Sequence, residues 1–263
     1  MQIERKHGKL NFYNVSCFRF LLVTLQVQYV LEPRDSGEKR RRLSSLPKNP
    51  TDAYRGVIER MTPSDVKFAR RILGWVLRAQ RILKMPELQE VLAIEIGVPS
   101  LIRQDISSAE EIISSCGGFV VYSLDNDLVT FSHETVRPFL EKNDVISLPF
   151  HPVLGKTCLT YLQLSPFDNP CTYEDYHKRK EEFVFSDCAA KFWASHAVQS
   201  ERDVELETMI LEVFGSDGRR EAMEQLCDRY YTRNKSLFHV LIESRLTSIF
   251  TSPVSSDGTI ERM

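Results

Sequence analysis

Four groups of residues in this chain have side-chain types and spacings that invite a chemical reading. Ser132, His133 and Glu134 run together, and a histidine between a hydroxyl and an acid is the raw material of a nucleophilic triad. A triad also needs a presented nucleophile and an oxyanion hole, and the sequence has no Gly-x-Ser-x-Gly elbow to supply them. A hydrolase using His133 is therefore the enzymatic alternative, and a histidine that ends a wing and caps or packs against the next helix is the favoured reading. Gly155-Lys156-Thr157 has the closing triplet of a phosphate loop. The glycine required five residues earlier is Phe150, so Lys156 is not assigned to nucleotide. Cys158, Cys171 and His177 have zinc-ligand chemistry, but ligand pairs of structural zinc sites lie closer together in sequence. Lys39 to Arg42 is a run of four basic residues, which reads as a nuclear address or, as favoured here, the solvated side of a helix or linker.

None of these groups amounts to a catalytic constellation, a metal site or a cofactor site. The elements that would position them say more. Thr62, Pro63 and Asp65 form a helix start: a hydroxyl for an orphan N–H, a proline at the first helical position and an acid in the first turn. Val66, Ala69, Leu73, Val76 and Leu77 follow at helical spacing. Met85-Pro86-Glu87 opens a second helix with Leu88, Val91 and Leu92 on one side. A third, from about Asp105 to Cys116, places Ile106, Ala109, Ile112 and Ile113 inward and stops at Gly117-Gly118. The period then changes to two short β-rich runs, Phe119 to Ser123 and Leu128 to Ser132, around the polar turn Leu124 to Asp127. Three helices followed by a hairpin is the order of a winged helix.

A winged helix suggests DNA, with its third helix in the major groove. The charges oppose this. Between Gln104 and Val136 stand Asp105, Glu110, Glu111, Asp125, Asp127 and Glu134, with no lysine or arginine. Duplex affinity rests on cations that displace counterions from phosphate, so this face repels a duplex. A nucleic-acid-binding winged-helix adaptor is the second alternative, and a structural or protein-contacting role is preferred.

With 263 residues, 42% of them hydrophobic and 27% charged, the chain can bury one large or two small cores. Its net charge of −2 indicates no dedicated polyanion partner. The six cysteines (17, 116, 158, 171, 188 and 227) form no CxxC pair and read as buried thiols of a reducing compartment. Near the N-terminus, Arg5, Lys6 and Lys9 ahead of Phe20 to Leu25 loosely imitate a signal peptide. The apolar run from Val15 to Leu31 is short for a membrane span and no small-residue cleavage site follows it. Phe20, Leu21, Leu25 and Tyr29 instead fit one face of a buried helix, and Ala53, Tyr54, Val57, Ile58 and Met61 fit a second, beginning at Thr51.

Downstream of the hairpin, Leu154, Cys158, Tyr161 and Leu162 share a helical face, as do Cys188, Ala189, Phe192, Trp193 and His196. Thr172 to Glu182 carries acids first and bases after, which suits a solvated helix. Val204, Met209, Ile210, Val213 and Phe214 predict another helix, ended by Gly215 to Gly218. Ala222, Met223, Leu226, Cys227 and Tyr230 predict the next.

The segment Leu43 to Tyr54 resembles the Leu-Pro-x-x-Leu-x-x-x-Tyr stretch that closes the NACHT region of fungal signal-transducing NTPases. Ala69 to Val76 and Arg81 to Leu88 resemble that family's winged helix, the type also named after the GPI inositol-deacylase. Phe20 to Leu31, Ser132 to Leu140 and the aromatic helix of Phe183 to His196 fit the same pattern, so the resemblance covers roughly residues 18 to 200. Leu237 to Leu241 and Leu246 to Ile249 are similar to the start of an ankyrin repeat, with Leu237, Leu241 and Arg245 departing from its proline, alanine and glycine. Pro138 falls where the family continues a helix, and a kink is expected there.

The expected fold is mainly α: residues 1–17 unassigned, 18–61 a remnant of the helical C-terminal edge of a NACHT module, 62–145 a winged helix, 146–234 a helical extension, and 235–263 a degenerate ankyrin-like start with a polar tail. The resemblance implies a non-enzymatic, cytoplasmic relay of the NLR-like type, coupling a nucleotide-binding domain to a repeat sensor. Its partner is protein, a NACHT-type NTPase domain or an ankyrin array in cis or in trans, with no nucleic acid, membrane, metal or cofactor. That family carries its nucleotide loop upstream of this region, so the chain by itself is expected neither to bind nor to hydrolyse nucleotide.

Overall fold

The computed structural model describes residues 22–23, 25–27, 29–142, 148, 151–200 and 203–227. The expectations for residues 1–17, for Phe20, Leu21 and Tyr230, and for the ankyrin-like start lie outside these residues.

The described residues are mostly helical. Residues 25–27 and 29–31 are helical, with Leu25 buried as the sequence predicts. Helix α1 (Ser36–Ser44) is capped by Asp35, whose carboxylate accepts the Glu38 N–H at 2.7 Å. It carries the basic run, with Arg40 and Arg41 in solvent. Arg42 departs from the expected solvated face: it turns inward over the Tyr29 ring and bonds Glu32 at 2.6 Å. Helix α2 (Pro50–Arg60) has Asn49 as its cap and buries Ala53, Tyr54 and Ile58.

The winged helix follows in the predicted order. Helix α3 (Pro63–Arg78) starts at Thr62, whose hydroxyl accepts the Asp65 N–H. Its buried face is wider than the predicted stripe and includes Ile72, Gly74 and Trp75, because α3 is covered on two sides. Helix α4 (Met85–Ala93) is opened by Glu87, which reaches back to the Lys84 N–H at 2.8 Å. Helix α5 (Ala109–Ser115) is shorter than expected, since residues 103–105 form a separate 3-10 turn. The cause is a capping box: Ser108 N–H donates to Glu111 at 2.7 Å while Ser108 Oγ accepts the Glu111 N–H at 3.2 Å, so the helix starts about four residues later than expected.

Strands β1 (Val120–Ser123) and β2 (Leu128–Phe131) pair antiparallel with Val120 opposite Phe131. Asp127 at the turn has φ 59°. The hairpin gains a third edge that the sequence did not signal: Met85 N–H donates to Asp127 O at 2.7 Å and Val129 N–H to Leu83 O at 3.1 Å. Gly117 (φ +54°) ends α5 as predicted and also lies under α2, where a Cβ would stand 2.6 Å from Val57 Cγ1. Tyr54 clamps α2 to the wing, its ring 5.3 Å from Phe119 and 5.0 Å from Phe139.

Helix α6 (Val136–Lys142) runs through Pro138. The first i to i−4 bond is Phe139 N–H to Thr135 O, so the proline stands in the first turn, where its missing N–H is an orphan in any case.

The extension consists of α7 (His151–Leu162), α8 (Tyr173–Glu182), α9 (Ser186–Val198), α10 (Val204–Phe214) and α11 (Asp217–Cys227). Helix α9 packs against α7 and α11, and α10 packs against the same two helices. Helix α8 buries no residue, as its charge order predicts. The turn between α10 and α11 is tighter than expected: Gly218 is already helical, and a Cβ there would come 2.3 Å from Asp168 O. One continuous cluster of buried apolar side chains runs from Leu25 through the winged helix to Leu226.

Candidate functional site

Glu90 lies on α4 in the same stripe as Val91 and Ile94, only 3% exposed. Burial of an ionised carboxylate is costly unless every lone pair finds a donor. Three donors from three different segments meet this one. Tyr161 Oη of α7 donates to Oε2 at 2.5 Å, and the Phe185 N–H at the start of α9 donates to the same oxygen at 3.0 Å. Arg103, on the 3-10 turn between α4 and α5, donates to Oε1 at 2.8 Å. The other arm of Arg103 donates to Glu182 O at the end of α8, and its guanidinium covers the Phe183 ring. Burial and then the Glu90 charge raise the Tyr161 pKa, which keeps the phenol protonated as the donor.

Around this acid the winged helix and the extension meet. The Trp75 indole of α3 stands edge-on to Phe185 at 5.4 Å and to His196 at 6.1 Å. Gly97 N–H donates to Thr160 Oγ1 at 3.1 Å, tying the loop after α4 to α7. His196 of α9 is 1% exposed and shares a hydrogen bond with His151 of α7, Nδ1 to Nδ1, at 2.9 Å. Burial, then the neighbouring His151, push the His196 pKa down to about 4. Burial and then Arg78 lower that of His151.

The residues singled out from sequence fall elsewhere. His133 lies just ahead of α6: its Nδ1 accepts the Thr135 N–H at 3.1 Å and lies 2.9 Å from Thr135 Oγ1, which in turn lies 3.0 Å from Tyr54 Oη. Its Nε2 and the neighbouring Ser132 Oγ are buried, with no hydrogen-bond partner among the described residues. Lys156 sits in mid-helix on α7, held by Asp203 at 2.9 Å and by Glu205. Among the described residues no group of three or more His, Cys, Asp or Glu side chains is placed to hold a metal ion, so Cys158, Cys171 and His177 do not converge. Cys116, Cys158 and Cys188 are buried free thiols, with Cys116 and Cys188 pushed up to about 12 by desolvation. Cys171 and Cys227 are only partly covered, which corrects the expectation that all the cysteines are buried.

The outer face of the wing keeps its acidic character. Glu110, Glu111, Asp125, Asp127 and Glu134 are exposed. The flanking cations are engaged: Arg103 with Glu90, and Arg137 with Leu77 O at 3.0 Å and the Phe131 ring. Among the described residues no helix is long and apolar enough to cross a membrane.

Sequence reasoning missed Glu90 and its partners. The available signal was an acid at an apolar-stripe position of α4. Nothing local could have paired it with Tyr161, 71 residues away.

The fold and this joint define a winged-helix region built into a helical extension. Residues 58–148 match the family model described as the winged helix domain of GPI inositol-deacylase. No curated protein and no solved structure matches the chain.

Proposed function

We propose that the chain is a non-enzymatic relay and protein-interaction module of the fungal NACHT–ankyrin type, in which the winged helix receives the state of a nucleotide-binding domain and passes it to the helical extension. The observation that carries this reading is the Glu90 joint. An acid of α4 is bonded at once to α7, to the start of α9 and to Arg103, so a displacement of α4 cannot leave the extension in place. The acidic wing supports a protein partner over a duplex. The family match concerns the winged helix named in its description and brings no deacylase chemistry with it.

The test adds the chain in trans to a purified NACHT-type NTPase domain loaded with ADP or with a non-hydrolysable ATP analogue, and reads binding by calorimetry and backbone protection by hydrogen exchange. The expected result is an affinity that differs between the two nucleotide states, with changed exchange in α4 and α9. Equal affinity in both states, or no binding to either, refutes the relay. Salt-sensitive duplex binding at physiological ionic strength would replace it with the nucleic-acid reading.

A further inference from the structure

We propose that the His151–His196 pair is an acid-sensitive latch that holds α7 and α9 together against α3, and that acidification opens this joint ahead of the rest of the fold. The geometry requires opposite tautomers. A hydrogen bond between two Nδ1 atoms 2.9 Å apart has one ring donating and the other accepting, and the rings stack with centroids 5.2 Å apart. Once both rings are protonated, neither Nδ1 can accept, and two imidazolium charges face each other.

His196 is buried whereas His151 is partly exposed, so the charge that lacks water is that of His196. From α3 the pair faces the Trp75 edge and the Arg78 guanidinium, a third positive charge. From within α7, Gly155 lies beside the His196 Cβ and Leu206 of α10, where an added Cβ would make ordinary van der Waals contact with both. The acids at the start of α10, Asp203 and Glu205, are turned to Lys156. Among the described residues neither histidine has an ion-pair partner. The closed joint therefore favours the neutral pair. Its stabilising contribution is complete above the free-histidine range near ~6.5 and is lost as pH falls toward the folded value of about 4. For His196 alone, lowering pH from ~7.5 to ~5 raises the open-to-closed ratio by about 25-fold. This inference stands on the packing of α3, α7 and α9 and does not depend on the relay reading.

Two buried thiols at the joint, Cys158 of α7 and Cys188 of α9, and one away from it, Cys116 after α5, supply the readout. The full chain is labelled with 4,4′-dithiodipyridine, which reacts with thiols in mild acid, and each site is followed by mass spectrometry. The ratio of Cys158 to Cys116 labelling is expected to rise more than tenfold between neutral pH and pH ~5, and to stay flat in the H151Q/H196Q variant. A flat ratio in the unaltered chain, or a rise that survives in the variant, overturns the proposal. Should the variant fail to fold, histidine-selective 15N NMR of the unaltered chain decides. Opposite tautomers and titration below the free-histidine range are expected, and two independent rings titrating at the ordinary value overturn the latch.

Discussion

Replacing Glu90 by alanine isolates what the buried joint contributes. The substitution removes the acceptor of three hydrogen bonds and leaves the Tyr161 hydroxyl and the Phe185 N–H buried without partners. Each costs about 1–3 kcal/mol when left unmade. Arg103 is 45% exposed, so its freed guanidinium returns to water and adds no more than about 1 kcal/mol. Against these losses, the fold no longer has to desolvate a carboxylate, a relief of the same order as one lost bond. The net is a destabilisation of about 3 kcal/mol, which for a chain of this size lowers the melting temperature by roughly 6–12 °C. A double-mutant cycle separates this from a simple cavity. In a Tyr161→Phe background no hydroxyl is stranded, so Glu90→Ala should cost about 1–2 kcal/mol less. Urea and thermal unfolding followed by circular dichroism measure both numbers. A melting temperature within about 2 °C of the unaltered chain, or no coupling to Tyr161, would refute the claim that Glu90 holds the two parts together.

Three further substitutions test the scaffold. Gly117→Ala combines a left-handed backbone with a Cβ 2.6 Å from Val57 Cγ1 and should cost at least about 2 kcal/mol in urea unfolding; a neutral result would mean that α2 does not pack there. Thr62→Ala removes the acceptor of the Asp65 N–H and should lose about 1 kcal/mol, recovered by Thr62→Ser. Tyr54→Phe breaks only the link to Thr135 while keeping the ring between Phe119 and Phe139, so thermal melts should shift by no more than about 1.5 kcal/mol, far less than for Tyr54→Ala.

The elements legible in the sequence are those specified by neighbours. Thr62-Pro63, Met85-Pro86-Glu87, Gly117-Gly118 and the polar turn before Leu128 each set a boundary within four residues, and the structure places helix starts, a helix end and the hairpin there. Errors arose where two local signals competed. The apolar pattern from Ile106 suggested an early start to α5, but the Ser108–Glu111 box is reciprocal and prevailed. The joint was invisible because it is assembled from positions 90, 103, 161 and 185, and the one local oddity, an acid in the apolar stripe of α4, does not name its distant partners. Trp75 shows the same limit from the other side. Its burial follows from a helix met more than a hundred residues later.

The shared core has a consequence for where this domain can be cut. The family match ends at residue 148, yet the packing continues past it. A piece trimmed to 58–148 would keep its caps and its wing while uncovering the Trp75 indole and an acid that has lost two of its three donors. Its raw side would be an oily strip with a stranded charge at the centre, the kind of surface that pairs with a second copy of itself or falls out of solution. The smallest autonomous unit is therefore set by where Tyr161 and Phe185 come from, and it reaches at least into α9.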